Sequence, residues 1–261
     1  MPLSSVQPAI EALVQARTDH RTTDAARLSH VITSPAQAYD VQQGVATRLA
    51  WFKPGAAEHW KTGGPSRQDV QTHARLPENG IWRSPANSGW PFAMRGIEAE
   101  IALRLAAPVD AALAASLDRD GACKLVDAMT AAIEVVDSRW TQGLEALPLL
   151  KLADLQSHGA LVLGDWLPFD AAHDWSAQLC RVEISGASPQ TFRGTHSMGD
   201  LAWVLAAGLR HATQGGRVLP AGSVVTTGTW CGVLQARPGD SVRAAFAGIG
   251  DARITFMRSD A

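Results

Sequence analysis

The sequence predicts an α+β fold in which a helical N-terminal layer covers a mostly β body. Two observations lead there. Apolar residues recur at helical spacing in the first half-hundred residues, and from residue 96 onward short apolar runs alternate with polar residues and are separated by Gly- and Pro-containing turns.

Each element can be justified in order. Residues 4–17 (SSVQPAIEALVQAR) place Ile10, Leu13 and Val14 at helical spacing. Ser34-Pro35 reads as an N-cap followed by proline at the first helical position, opening a second helix that carries Ala38, Val41, Val45, Leu49 and Trp51. Lys53-Pro54-Gly55 is its predicted stop. Residues 53–95, with WKTGGP, LPENG and SPANSGWP, are rich in Gly, Pro, Ser and Asn, and few regular elements are expected there. A long irregular stretch in a compact chain is often functional, or forms an edge of the fold. GIEAEIALRLAAP (96–108) alternates as a strand with Ile97, Ala99, Ile101 and Leu103 on one face. An Ala-rich helical stretch over 110–130 follows, then strands at 131–140, 160–168 and 177–186, the last in a hairpin. Ser197 is the predicted cap of a helix (MGDLAWVLAAGLRHATQ) ended by Gly215-Gly216. Strands at 223–230, 240–248 and 252–257 complete the chain, with a Pro-Gly-Asp turn at 238–240. The expected division is a helical segment, 1–52, and a catalytic β body, 53–261.

Composition narrows the function. The chain has 261 residues, a formal net charge of −2, 18% charged and 46% hydrophobic residues. That is a compact chain with no basic face for nucleic acid and no charge pattern for an anionic membrane. No apolar run approaches the ~18 residues of a membrane span. The three cysteines (Cys123, Cys180, Cys231) are too few for a disulfide framework and too widely spaced for a zinc site. The first residues lack the basic-then-apolar pattern of a secretory signal, so a cytoplasmic protein is expected.

The chemistry-bearing residues are acids. Glu98 and Glu100, two apart on a predicted strand, point to the same face, and two carboxylates so placed repel unless a cation lies between them. Glu134 interrupts the apolar strand Ala131–Val136, where an isolated carboxylate is costly to bury. Three such acids on neighbouring strands would make an all-oxygen site suited to Mg²⁺ or Mn²⁺ rather than Zn²⁺. The competing reading makes Glu98 and Glu100 a solvated face and pairs Glu134 with Arg139. Lys61, between Trp60 and a glycine turn, either meets a ligand anion or is solvated. Asp154 and Ser157 precede a strand and either reach a site at its end or form a turn. The eight histidines show no metal-ligand spacing, so His158 and His196 read as structural hydrogen bonders, and Cys231 reads as a buried inert thiol. No phosphate loop, GxSxG elbow or GxGxxG fingerprint is present.

The succession GIEAEIALRL, AAIEVVDSRW, LADLQSHGALVLG, LPAGSVVTTGTW and PGDSVRAAFAGIG, over roughly residues 35–257, resembles the 2-keto-4-pentenoate hydratase and 4-oxalocrotonate decarboxylase branch of the fumarylacetoacetate hydrolase superfamily. The resemblance implies a mixed β-roll behind the N-terminal helices. It implies Mg²⁺ (or Mn²⁺) held by Glu98, Glu100 and Glu134, and a substrate that is a 2-oxo acid or its enol, as in aromatic catabolism. The family's K-I-G motif matches Lys61-Thr62-Gly63, and its P-D-x-G motif matches Pro77-Glu78-Asn79-Gly80 with Glu for Asp. Its A-D-N-x-S motif matches Ala153–Ser157 with Leu155 for Asn, and its strand-end Gly-Ser/Thr matches Gly228-Thr229. The implied catalytic residues are Lys61 and Glu78, and the implied substrate contacts are Asp154, Ser157, Thr229 and Arg139. Leu155 removes an amide that Gln156 could replace. The implied activity is a hydratase acting on a 2-hydroxypenta-2,4-dienoate. The alternatives are a 4-oxalocrotonate-type decarboxylase, an acylpyruvate C–C hydrolase, or a non-catalytic partner subunit. The hydrolase would need a His–Glu pair that His20, His30 and His59 do not evidently supply. A homo-oligomer, or a complex with a sister pathway enzyme, is the expected assembly.

Overall fold

The computed structural model describes residues 5–258. Two helices come first, α1 (Gln7–Asp19) and α2 (Pro35–Arg48). The Ser34 hydroxyl accepts from the Gln37 amide, so the Ser-Pro start of α2 is as the sequence predicts, while the helix stops at Arg48, short of Lys53. Four short strands follow, β1 (His59–Gly63), β2 (Thr72–Leu76), β3 (Ile81–Arg83) and β4 (Ala86–Ser88). They correct the expectation of an irregular 53–95 segment. Three of them pair in parallel with strands far along the chain, so nothing local announces them.

Next come β5 (Gly96–Leu105), α3 (Ala111–Ser116), α4 (Arg119–Cys123) and β6 (Val126–Val136). The expected single helical stretch over 110–130 is thus two short helices, each capped by its own aspartate, Asp110 and Asp118, and β6 starts five residues earlier than the apolar run suggests. The chain continues with α5 (Pro148–Ala153), β7 (His158–Leu163), β8 (Leu167–Pro168) and the hairpin β9 (Leu179–Ile184) and β10 (Gln190–Arg193). Then come α6 (Leu205–Ala212), β11 (Val224–Thr226), β12 (Leu234–Gln235), β13 (Ser241–Phe246) and β14 (Gly250–Phe256). Ser197 does not cap the helix that follows it. Gly199, at φ 63°, breaks the chain there, Asp200 caps a 3₁₀ turn that leads into α6, and the Ser197 hydroxyl donates to the Gly64 carbonyl instead.

The strands form two sheets. One runs β2-β1-β11-β5-β6-β7-β3, with β12 added to β5 and β8 to β6; the other runs β10-β9-β13-β14-β4. Ile97, Ala99, Ile101 and Leu103 of β5 with Ile133 and Val135 of β6 pack against Val242, Phe246, Ile254 and Phe256 of the second sheet. Each of these side chains larger than alanine contributes about 1.5–3 kcal/mol of burial. The sheets approach so closely beyond β7 that a Cβ on Gly164 would lie 2.5 Å from the Asp251 carbonyl oxygen. The N-terminal helices form a separate cluster, in which Ile10, Leu13, Val41 and Val45 meet Trp140, Leu150 and Leu152 from the β6–β7 connection. No described helix is long and apolar enough to cross a membrane.

Candidate metal centre and active site

Strand pairing builds the site. On β5, Glu98, Glu100 and Ala102 point away from the inter-sheet core, and Glu98 sits directly opposite Glu134 of β6, which in turn faces Leu161 of β7. Ala102 aligns with Thr226 of β11, and Thr226 with Lys61 of β1. One face of the sheet therefore carries three acids and a lysine. This face is not solvated: Ala74, Ala102, Ala132, Leu155, Leu161 and Val224 form a compact apolar cluster around it, and Glu100 and Glu134 are 2% and 1% exposed.

Glu98, Glu100 and Glu134 each offer an oxygen within 4.8 Å of the others. The two oxygens of Glu134 are used differently. Oε1 accepts from Lys61 Nζ at 2.5 Å and from His158 Nδ1 at 3.0 Å, while Oε2 is buried with no hydrogen-bond partner. Glu100 Oε2 accepts the Gly228 amide at 3.1 Å. Glu134 does not pair with Arg139, as the competing reading had it. Arg139 instead holds Asp154 at 2.8 Å and Asp137 at 3.3 Å.

The electrostatics follow from this crowding. Burial, then the neighbouring Glu134, pushes Glu98 up to about 8 and Glu100 up to about 7. Burial acts on Glu134 in the same direction, but the Lys61 ammonium and the His158 hydrogen bond outweigh it and hold Glu134 below the usual carboxylate range. Lys61 resists its own burial in the same way, raised by Glu134, Glu98 and Glu100, and stays an ammonium. With all three carboxylates ionised, one ammonium would leave two negative charges in a dry pocket, and Glu98 and Glu100 therefore keep their protons to higher pH. An orphaned buried oxygen and an all-oxygen donor set fit a divalent cation of the Mg²⁺ or Mn²⁺ kind.

The remaining residues that the sequence singles out have partners of different kinds. Ser157 is 1% exposed, and its hydroxyl has no hydrogen-bond partner. It ends three consecutive left-handed residues, Leu155, Gln156 and Ser157 (φ 52°, 56° and 60°), a conformation that costs of order 1–3 kcal/mol per residue. That strained turn aims the Gln156 carbonyl at Lys61 Nζ (3.4 Å), while the Gln156 amide bonds the Thr72 hydroxyl. Thr229 is half-buried, and its hydroxyl donates to the Gly232 carbonyl beside Cys231. Glu78 is 44% exposed in its side chain and pairs with Lys53 at 3.8 Å. Asp154, fully buried, binds Arg17 and Arg139. His158, read from sequence as a structural hydrogen bonder, is the residue whose site contact was missed. Alternation with Ala160 and Val162, which face the inter-sheet core, would set His158 on the face away from Glu134; the register shift between Val135 and Val136 pairs it with Val136 instead, and no local pattern announces that irregularity.

Residues 69–257 match the family of the fumarylacetoacetate hydrolase C-terminal domain. The chain belongs to that family. It is 30% identical over 125 residues to a 4-oxalocrotonate decarboxylase of a Pseudomonas species, and the aligned stretch spans about half of each protein (48%). Its fold is similar to 4-oxalocrotonate decarboxylase from Pseudomonas putida G7 complexed with magnesium and adipate (TM-score 0.84, 18% identity, 98% of this chain and 99% of that one). It is also similar to fumarylpyruvate hydrolase from Pseudomonas aeruginosa in complex with Mn²⁺ and pyruvate (TM-score 0.57, 11% identity, 78% and 91%). The mixed β-roll of this family is the fold described above.

Proposed function

We propose that the chain is a divalent-metal-dependent lyase acting on 2-oxo acids or their enols, with Glu98, Glu100 and Glu134 as ligands of Mg²⁺ or Mn²⁺. The observation that carries this reading is the division of labour on Glu134, one oxygen held by Lys61 and His158 and the other buried and unpartnered beside two further glutamates. A divalent ion held there supplies a Lewis acid for the substrate's carboxylate and 2-oxo oxygen.

Within that class, the curated relative favours decarboxylation of a 4-oxalocrotonate-type substrate over the hydration that the sequence resemblance put first. In 2-oxohex-3-enedioate the bond from C5 to the C6 carboxylate breaks, CO₂ leaves, and the electron pair passes through C4 and C3 to the C2 oxygen. Lys61 suits the end of that path. An ammonium has three N–H donors, and Glu134 and Gln156 take two, leaving one for a substrate oxygen. Because Lys61 stays charged, it serves as a hydrogen-bond and proton donor rather than a base. The free Ser157 hydroxyl is a donor for a substrate carboxylate. The apolar cover of Leu155, Leu161 and Ala132 excludes water, which favours loss of CO₂ over addition of water.

The test is to incubate purified chain with 2-oxohex-3-enedioate and separately with 2-hydroxypenta-2,4-dienoate, with Mg²⁺ and after EDTA, following absorbance and CO₂. Metal-dependent CO₂ release from the first substrate is expected. Consumption of the dienoate alone would make the chain a hydratase, and metal-independent turnover would overturn the metal reading.

A further inference from the structure

We propose that the cleft between the N-terminal helices and the β-roll is a second ligand site, built for a small planar aromatic carboxylate. The cleft encloses about 260 Å³ and is lined by the end of α1, the turn around Asn79, and residues 137–139; none of Glu98, Glu100, Glu134 or Lys61 reaches it. It stands independently of the reading of the glutamate site.

Its walls are indoles. Trp51, Trp82 and Trp90 all line it. The Trp82 ring is fixed by a bond from Nε1 to the Asn79 carbonyl, and Trp90, 42% exposed, meets the His20 ring edge-on at 4.8 Å. Three flat apolar faces in so small a space select a flat ring over a flexible chain. The volume lies below the ~300–1,000 Å³ usual for drug-sized ligands, so a single ring fits best.

Its floor carries positive charge. Arg17, Arg21 and Arg139 line the cleft against one lining carboxylate, Asp137. Asp154 lies behind them, fully buried, and is shared by Arg17 (2.8 Å) and Arg139 (2.8 Å). Asp137 is occupied by the Met94 amide at 2.7 Å and by Arg139. The Arg17 guanidinium spends one nitrogen on Asp154 while its carbon stands 5.0 Å from the Trp51 ring centre. Arg21 makes no ion pair among the described residues. Two carboxylates thus face three guanidiniums, and Asp154 serves two of them at once. A guanidinium with free N–H groups beside an aromatic slab is the geometry that recognises a carboxylate on a ring.

Calorimetric titration of the full chain with benzoate tests the site. Benzamide, of the same shape without the charge, and cyclohexanecarboxylate, of the same charge without the flat ring, serve as comparisons. Benzoate is expected to bind one per chain, unchanged by EDTA, with both comparison compounds at least about tenfold weaker. Trp90→Ala and Arg21→Ala, both at exposed positions, are each expected to weaken benzoate about tenfold. No benzoate binding, binding abolished by EDTA, or affinity unchanged in both variants would overturn the assignment.

Discussion

Glu98 and Glu134 stand directly opposite each other across the β5–β6 ladder, with Glu100 beside them on the same face. Like charges in facing positions of an antiparallel pair destabilise it. Where Glu98 and Glu134 are both ionised, above about pH 8, the metal-free pair is strained, and the proposed divalent cation would relieve it. In a melting experiment with EDTA and then with Mg²⁺, the wild type is expected to gain about 2.7 kcal/mol at a hundredfold excess over Kd. That corresponds to roughly 5–10 °C for a chain of this size. Glu98→Gln removes one of the facing charges. In EDTA above about pH 8, where Glu98 of the wild type is ionised, it is expected to melt higher than wild type, and at any pH to lose the Mg²⁺ response. A wild type indifferent to Mg²⁺ would remove the metal assignment.

The same crowding sets a pH dependence. Glu98 and Glu100 are raised to about 8 and about 7 in the folded chain. Between an unfolded carboxylate near 4.5 and those values, the folded state binds more protons than the unfolded one, so these groups make stability fall as pH rises. The metal-free chain is expected to lose up to about 1.4 kcal/mol per pH unit for each raised group across that window. Mg²⁺ is expected to flatten the slope, and its affinity to climb from pH 6 to pH 8 as it displaces the protons. Glu134, lowered by Lys61 and His158, acts in the opposite sense and only at acid pH, where its protonation ends its stabilising contribution. Chemical denaturation across pH 5–9, with and without Mg²⁺, reads both effects.

Lys61 gives a prediction with two signs. Its ammonium offsets Glu134 at 2.5 Å while competing with a cation for the same cluster. Lys61→Met keeps the stem and deletes the charge. Mg²⁺ is expected to bind more tightly to this variant, measured by calorimetry. Turnover is expected to fall by ~10²–10⁴, the range associated with loss of a positioned proton donor. Tighter metal with retained turnover would strip Lys61 of its catalytic role and leave it a counter-ion.

The legible part of this molecule is what local pattern controls. The alternation of Glu98 and Glu100 with Ile97, Ala99 and Ile101 gives both the inward apolar face and the acidic one, and the Ser34-Pro35 start of α2 follows from capping chemistry alone. The missed parts depend on distant partners. The strands β1, β3 and β4 are three to five residues long and exist because β11, β7 and β14 pair with them in parallel. The same distance hides Lys61 and His158 on Glu134, 73 and 24 residues away in sequence. Asp154 and Arg139, which a family resemblance links to substrate, illustrate the limit from the other side. Motif matching places residues in a region, whereas burial and hydrogen bonding decide which of them have atoms left to offer.

That pair yields the last prediction. The Asp154 side chain is fully buried, and its two oxygens take the Arg139 guanidinium, the Arg139 amide and Arg17. The Arg139 Nη2 reaches onward to the His158 carbonyl at 2.8 Å. This network ties α1 to the β6–β7 connection, directly behind the strained turn that carries Ser157. Asp154→Asn keeps the shape and removes the charge, leaving two guanidiniums without their shared partner. Breaking one side of a buried ion pair costs about 3–5 kcal/mol. Denaturant unfolding is therefore expected to show that loss, with Mg²⁺ binding retained and KM changed little in the surviving folded fraction. If Asp154→Asn instead keeps full stability and raises KM more than about tenfold, the carboxylate acts on substrate, as the resemblance implies, rather than on the scaffold.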